Sequence, residues 1–131
     1  MQESGRQRLS RRTEEGVLVL AFTEPLLEAA AVEEALAAVA ETECRKVVLD
    51  CRAVHSLVSG SLYPGHEPFK PLVALLRRLE GDGGRLVLCN LDAGIEEVLR
   101  ITRLNTLFEI QPDLHQALSA LGAAGGRPPP Q

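Results

Sequence analysis

A chain of 131 residues has room for one hydrophobic core, and its 45% apolar and 24% charged residues exclude a disordered polymer. It holds no Trp, one Tyr and three Phe, and 14 basic against 18 acidic residues leave a net charge of −4. That excludes both an aromatic platform for stacking bases and a basic footprint for phosphates, so no nucleic-acid partner is expected.

No apolar run approaches the roughly 18–20 residues that span a bilayer, so direct membrane insertion is not expected. The basic N-terminus MQESGRQRLSRRTEEG has no apolar segment behind it, as a secretory signal would. The cysteines Cys44, Cys51 and Cys89 are odd in number and lack C-x-x-C spacing. Reduced thiols and a cytoplasmic location are the expectation.

Along the chain, residues 1–6 read as a flexible start and 7–12 (QRLSRR) as a short edge strand, with a turn at Glu14-Glu15-Gly16. Val17 to Phe22 is an unbroken apolar run of β-formers, as in a strand buried on both faces. After Pro25 the sequence LLEAAAVEEALAAVAETE consists mainly of helix formers, with Val32, Leu36 and Val39 on one stripe. Lys46 to Asp50 is a second buried strand ending on an acid. Residues 51–71 break the pattern with Gly60, Pro64, Gly65, Pro68 and Pro71.

Leu72, Leu75, Leu76 and Leu79 then give an amphipathic helix, stopped by Gly81-Asp82-Gly83-Gly84. Arg85 to Cys89 is a third buried strand, and Asp92 is placed to cap a helix with Ile95, Val98, Leu99 and Thr102 on one face. A turn at Leu104 to Leu107, a short strand Phe108-Glu109-Ile110 and a helix capped by Asp113 complete the domain. Residues 122–131 (GAAGGRPPPQ) read as a disordered tail. Strands alternating with helices define an α/β fold, a mostly parallel sheet with right-handed crossovers.

The segment VVLDCRAVHSLVSGSL, followed by LVALLRRLEGDGGRLVLCNLDAGIEEVLRITRLNTLFEI, resembles the STAS domain family, the fold of bacterial anti-sigma factor antagonists. Gly84 to Leu88 matches the family's G-x-L-x-L strand, and Val98 to Leu104 with Leu107-Phe108 matches its V-x-x-x-L-x-x-T-x-L-x-x-L-F helix and exit. The resemblance covers residues 7–121 and implies a single domain with helices mainly on one side of a small sheet. It implies a non-catalytic regulator in signal transduction and transcription. The implied partner is a GHKL-type serine kinase that is also the anti-sigma factor, or another regulatory protein.

Counted from Asp50, the family's phosphorylatable serine falls on Ser59, with Ser56 and Ser61 as secondary candidates. The acid that precedes it in the family is Val58 here, the next Ser/Thr is Gly60, and the loop glycine is Ser61. About seven residues, Tyr63 to Phe69, are inserted before the helix, and Glu67 is the acid nearest Ser59 in the chain. The implied partner-binding set is Val58, Ser59, Gly60, Ser61, Leu62, Tyr63, His66 and Phe69, with the exposed side of the helix Leu72–Leu79. The alternative is a degenerate STAS scaffold without phosphate, in a signalling assembly or a membrane transport complex.

No cofactor or metal is expected, because His55, His66, His115 and Cys51 match no ligand spacing. A hydrolase is not expected either, because the window Leu57-Val58-Ser59-Gly60-Ser61 is not a G-x-S-x-G elbow.

Overall fold

The computed structural model describes residues 8–58 and 67–122. The elements in chain order are β1 (Leu9–Glu14), β2 (Val17–Phe22), β3 (Leu26–Leu27), α1 (Ala29–Ala40), β4 (Lys46–Asp50), β5 (Ser56–Leu57), α2 (Phe69–Gly81), β6 (Arg85–Cys89), α3 (Ala93–Ile101), a 3₁₀ turn (Leu104–Thr106), β7 (Glu109–Gln111) and α4 (Leu114–Ala120). The main sheet has the order β1-β2-β4-β6-β7, and β3 and β5 form a separate two-stranded ribbon. Only the β1–β2 pair of the main sheet is antiparallel. It is closed by Glu15 and Gly16, both at positive φ (51° and 84°), the combination a two-residue hairpin turn requires.

Side-chain alternation sorts the strands into two faces. Leu20, Leu49, Leu88 and Ile110 stand side by side across β2, β4, β6 and β7. They meet Val32, Ala35 and Val39 of α1, Leu72, Leu75 and Leu79 of α2, and Ile95 and Leu99 of α3. The opposite face, with Val17, Val19, Val48, Val87 and Cys89, is covered by Ala117 and Leu121 at α4. Three helices therefore lie on one side and one on the other, the α/β layer that strand and helix alternation implied.

Cations fasten the short α4 at its C-terminal end, where backbone carbonyls lack helical partners. Lys46 Nζ donates to Leu121 O (2.9 Å) and Arg85 Nη1 to Ala120 O (3.0 Å). Arg85 Nη2 also reaches both carboxylate oxygens of Glu109 (2.7 and 2.6 Å). At the other end, Asp113 Oδ1 accepts from the Gln116 amide (2.8 Å). Asp113→Ala should destabilise the domain by about 1 kcal/mol, the usual worth of such a cap, read as a lower urea midpoint at unchanged slope.

Several boundaries differ from the sequence expectation. The edge strand is Leu9–Glu14 rather than 7–12, so Glu14 closes the ladder opposite Val17 and only two residues turn. Leu26 and Leu27 belong to β3 rather than to the helix, which starts at Ala29. The second helix begins at Phe69, three residues before Leu72, because Pro71 falls in the first turn, where its missing N–H costs nothing. The last strand is Glu109–Gln111 rather than 108–110, which leaves Phe108 a buried residue just before it. Among the described residues no helix is long and apolar enough to cross a membrane.

Candidate functional site

The parallel strands β2, β4 and β6 run the same way, so their C-terminal ends and the N-termini of the helices that follow gather on one rim of the domain. Asp50 ends β4 and organises its part of the rim. Its Oδ1 accepts from the Arg52 amide (3.1 Å) and from Asn90 Nδ2 (2.9 Å), which joins the loops after β4 and β6. The Cys51 amide donates to Cys89 O (3.0 Å), extending that junction by one bond.

Beyond it the chain is drawn under the segment after β2. The amides of His55 and Ser56 both donate to Pro25 O (2.8 and 3.1 Å), and the Val58 amide donates to Leu27 O (3.0 Å). The β3–β5 ribbon thus fixes residues 55–58 at the head of α2. These bonds are backbone to backbone, so no side-chain pattern announces them.

A groove of about 540 Å³ opens there. One wall is His55, Ser56, Leu57 and Val58, another is Glu67 and Phe69 at the head of α2, and the third is Gly94, Ile95 and Val98 of α3. Its floor is apolar; Val58 and Ile95 are buried. Two polar features mark it. His55 Nδ1 donates to Asp92 Oδ2 at 3.2 Å, which links the wall at β5 to the start of α3. Asp92 Oδ1 also accepts from the Gly94 amide (2.9 Å), the cap expected from sequence. That amide first, and then His55, hold the Asp92 carboxyl below the ordinary range. The second feature is Glu67, whose Oε2 is buried and has no hydrogen-bond partner among the described residues.

Of the expected site residues, the fold brings Val58 and Phe69 to this groove, together with Ser56 and Glu67. Ser59, Gly60, Ser61, Leu62, Tyr63 and His66 lie outside the described residues. Phe69 belongs to the first turn of α2 rather than to a loop. Sequence reasoning did not find the His55–Asp92 pair, because the two residues are 37 positions apart.

Burial raises both the Cys51 and Cys89 thiols, Cys89 to about 12, with the Asp50 carboxylate adding to each shift. Both are protonated at neutral pH and behave as small core residues. Among the described residues no cluster of His, Cys, Asp or Glu could hold a metal ion.

The family model for the STAS domain matches residues 8–117, and the chain belongs to that family. Solved structures share its fold. An anti-sigma factor antagonist from Mycobacterium paratuberculosis is 24% identical, with 86% of this chain and 91% of that one covered at a TM-score of 0.69. The Bacillus cell fate determinant SpoIIAA in its phosphorylated form is 14% identical, with 86% and 98% covered at 0.59. A murine solute carrier anion transporter is 18% identical; the match covers 87% of this chain and 18% of the transporter at 0.62. No curated protein sequence matches the chain.

Proposed function

We propose that this chain is a non-catalytic protein–protein regulator of the anti-sigma factor antagonist kind. It acts in the cytoplasm and binds a GHKL-type serine kinase that doubles as an anti-sigma factor. Ser59 is the switch, and the loop from Ser56 to Phe69 with the exposed side of α2 is the docking face. The carrying observation is the groove itself. An apolar recess beside the head of α2 sits one residue from Ser59 in the chain. The N-cap residue of α2, Pro68, offers no side-chain cap, and no acid lies in the helix's first turn.

The physics of the switch follows from charge. A phosphate adds about −1.5 to −2 charges and three acceptor oxygens. The uncapped N-terminus of a helix tolerates it in the free domain. In a closed interface beside Glu67 and Asp92 it is repelled and costly to desolvate.

The test is intact-mass and peptide analysis of the protein from its native cells, with Ser59→Ala as control. One phosphate at Ser59, absent from the variant, is the expected result. Ser59→Glu should then weaken kinase binding by about tenfold or more, the effect of one buried like charge. A phosphate on Ser56 or Ser61 instead would shift the switch along the loop.

A second reading is favoured by Val58. The family's loop acid is replaced here by an apolar side chain that is only 7% exposed and lines the groove. On that reading the domain is an unswitched scaffold in a signalling assembly or a membrane transport complex. Recovery of a stable partner with no phosphate under growth and stress would select it.

A further inference from the structure

The outer face of α2 carries charges that the domain itself does not use. Leu72, Leu75, Leu76 and Leu79 turn one side of this helix to the core. The opposite line, at i, i+4, i+7 and i+11, is Lys70, Ala74, Arg77 and Gly81, all exposed, with exposed Arg78 beside Arg77. Other cations of the fold are held: Arg8 by Glu34, Arg11 by Glu41, Arg100 by Glu97, and Lys46 and Arg85 by the end of α4. Among the described residues, no hydrogen bond or ion pair holds the side chain of Lys70, Arg77 or Arg78.

Helix stability does not account for this row. Arg77 and Arg78 lie toward the C-terminal end of α2, where a cation complements the helix dipole. Lys70 lies in the first turn, where a cation opposes the dipole, and neither a capping side chain at Pro68 nor an acid in that turn offsets it. A cation at the unfavourable end of a helix, in line with two more, fits a counter-charge supplied from outside.

The spacing says what form that counter-charge takes. Lys70 and Arg77 are two turns apart, about 10 Å along the axis. Ala74 between them is small, so a second helix can lie close. Three cations on a chain of net charge −4 fall short of the roughly six to ten phosphate contacts of a nucleic-acid binder and the roughly four to eight cations of a membrane-binding cluster.

We infer that the exposed face of α2 binds an acidic helical segment of the protein partner, with carboxylates two turns apart on Lys70 and on the Arg77–Arg78 pair. The inference rests on the proposed docking role of this face and deepens it. A phosphate just ahead of α2 would meet the same partner acids and be repelled by them.

The test uses the full chain and a peptide probe, so it needs neither the kinase nor the phosphate. A helical peptide of glutamate, alanine and lysine, with its glutamates on one face, is titrated against the ¹⁵N-labelled protein. Its control has glutamine for every glutamate. Saturable shifts at the amides of Lys70, Ala74, Arg77, Arg78 and Gly81 are expected with the acidic peptide, weakening as salt is raised. The control peptide should bind about tenfold more weakly, as should the acidic peptide to Arg77→Ala combined with Arg78→Ala, the joint effect of losing a few exposed ion pairs. Arg52→Glu, which reverses a cation on the rim, should leave binding unchanged.

Lys70→Glu should weaken peptide binding and yet raise the melting temperature by about 1–4 °C, because it puts an acid in the first turn. A lower melting temperature for Lys70→Glu would place the role of that cation within the domain and overturn the inference. So would equal binding of the two peptides, equal losses from Arg52→Glu, or tighter binding of phosphatidylserine vesicles through the same three residues. Charge-selective peptide binding without phosphate at Ser59 would support the acidic partner and remove the switch; phosphate at Ser59 without such binding would keep the switch and overturn the acidic partner.

Discussion

Leu49→Ala is expected to destabilise the domain by about 3–5 kcal/mol, the upper part of the range for emptying a core position. Leu49 is fully buried in β4, the central strand of the sheet. Leu20 stands beside it on one neighbouring strand and Leu88 on the other. The helices α1, α2 and α3 close over this row. Shortening the side chain leaves a space that cannot collapse easily, because hydrogen-bonded strands fix the backbone on both flanks. Domains of this kind have total stabilities of about 5–15 kcal/mol, so the variant should be marginal.

Urea unfolding should show a large fall in midpoint at unchanged slope. Val48→Ala, one residue away on the face under α4, removes fewer carbons beneath a single short helix and should cost less. A loss below about 1 kcal/mol for Leu49→Ala would mean that the three helices close onto the sheet far more readily than a close-packed core allows.

The regular elements were legible because burial imposes a period. Val17 to Phe22, Lys46 to Asp50 and Arg85 to Cys89 are continuous apolar runs, or nearly so, because both faces of the sheet are covered. Leu72, Leu75, Leu76 and Leu79 showed a helix because only one side of α2 is buried. Asp92 and Asp113 were readable as caps because the chemistry of a cap is local.

The site was less legible, and the reason is range. The β3–β5 ribbon joins Leu26–Leu27 to Ser56–Leu57, two residues on each side, which is too short for a period of two to appear. Leu26 and Leu27 precede a helix-forming run and were absorbed into it. Prolines marked residues 51–71 as irregular, yet Pro68 and Pro71 lie at the start of α2, where proline is compatible with a helix. Glu67 stood out in sequence as the acid nearest Ser59; that one of its oxygens is buried, with no donor among the described residues, depends on packing that no local pattern encodes.

The glycine after α2 carries the second large effect. Gly84→Ala should cost about 3 kcal/mol or more, at the high end for forcing a methyl group into occupied space. A Cβ at Gly84 would lie 2.2 Å from Arg45 O and 3.0 Å from Arg45 C, which are backbone atoms and not a flexible side-chain tip. Both sides of this contact are held. The Arg85 amide donates to that same Arg45 oxygen (2.9 Å), just before the rung where Lys46 and Arg85 align β4 with β6. The Gly84 amide donates to Leu79 O (2.7 Å) and the Gly83 amide to Glu80 O (3.1 Å), the paired bonds of a Schellman motif that ends α2. Relief of the clash must open either the strand rung or the helix end.

Gly83→Ala separates this steric effect from backbone conformation. Gly83 has φ +79° and nothing within 4 Å of an added Cβ, so its substitution should cost only the left-handed penalty of about 1–2 kcal/mol. Thermal or urea melts should therefore rank Gly84→Ala below Gly83→Ala. The reverse order would place the constraint in the turn's handedness. The expected order instead explains the glycine of the family's G-x-L-x-L strand by close approach of two backbones, which brings the end of α2 against the start of β4 and sets the helix whose other end borders the groove.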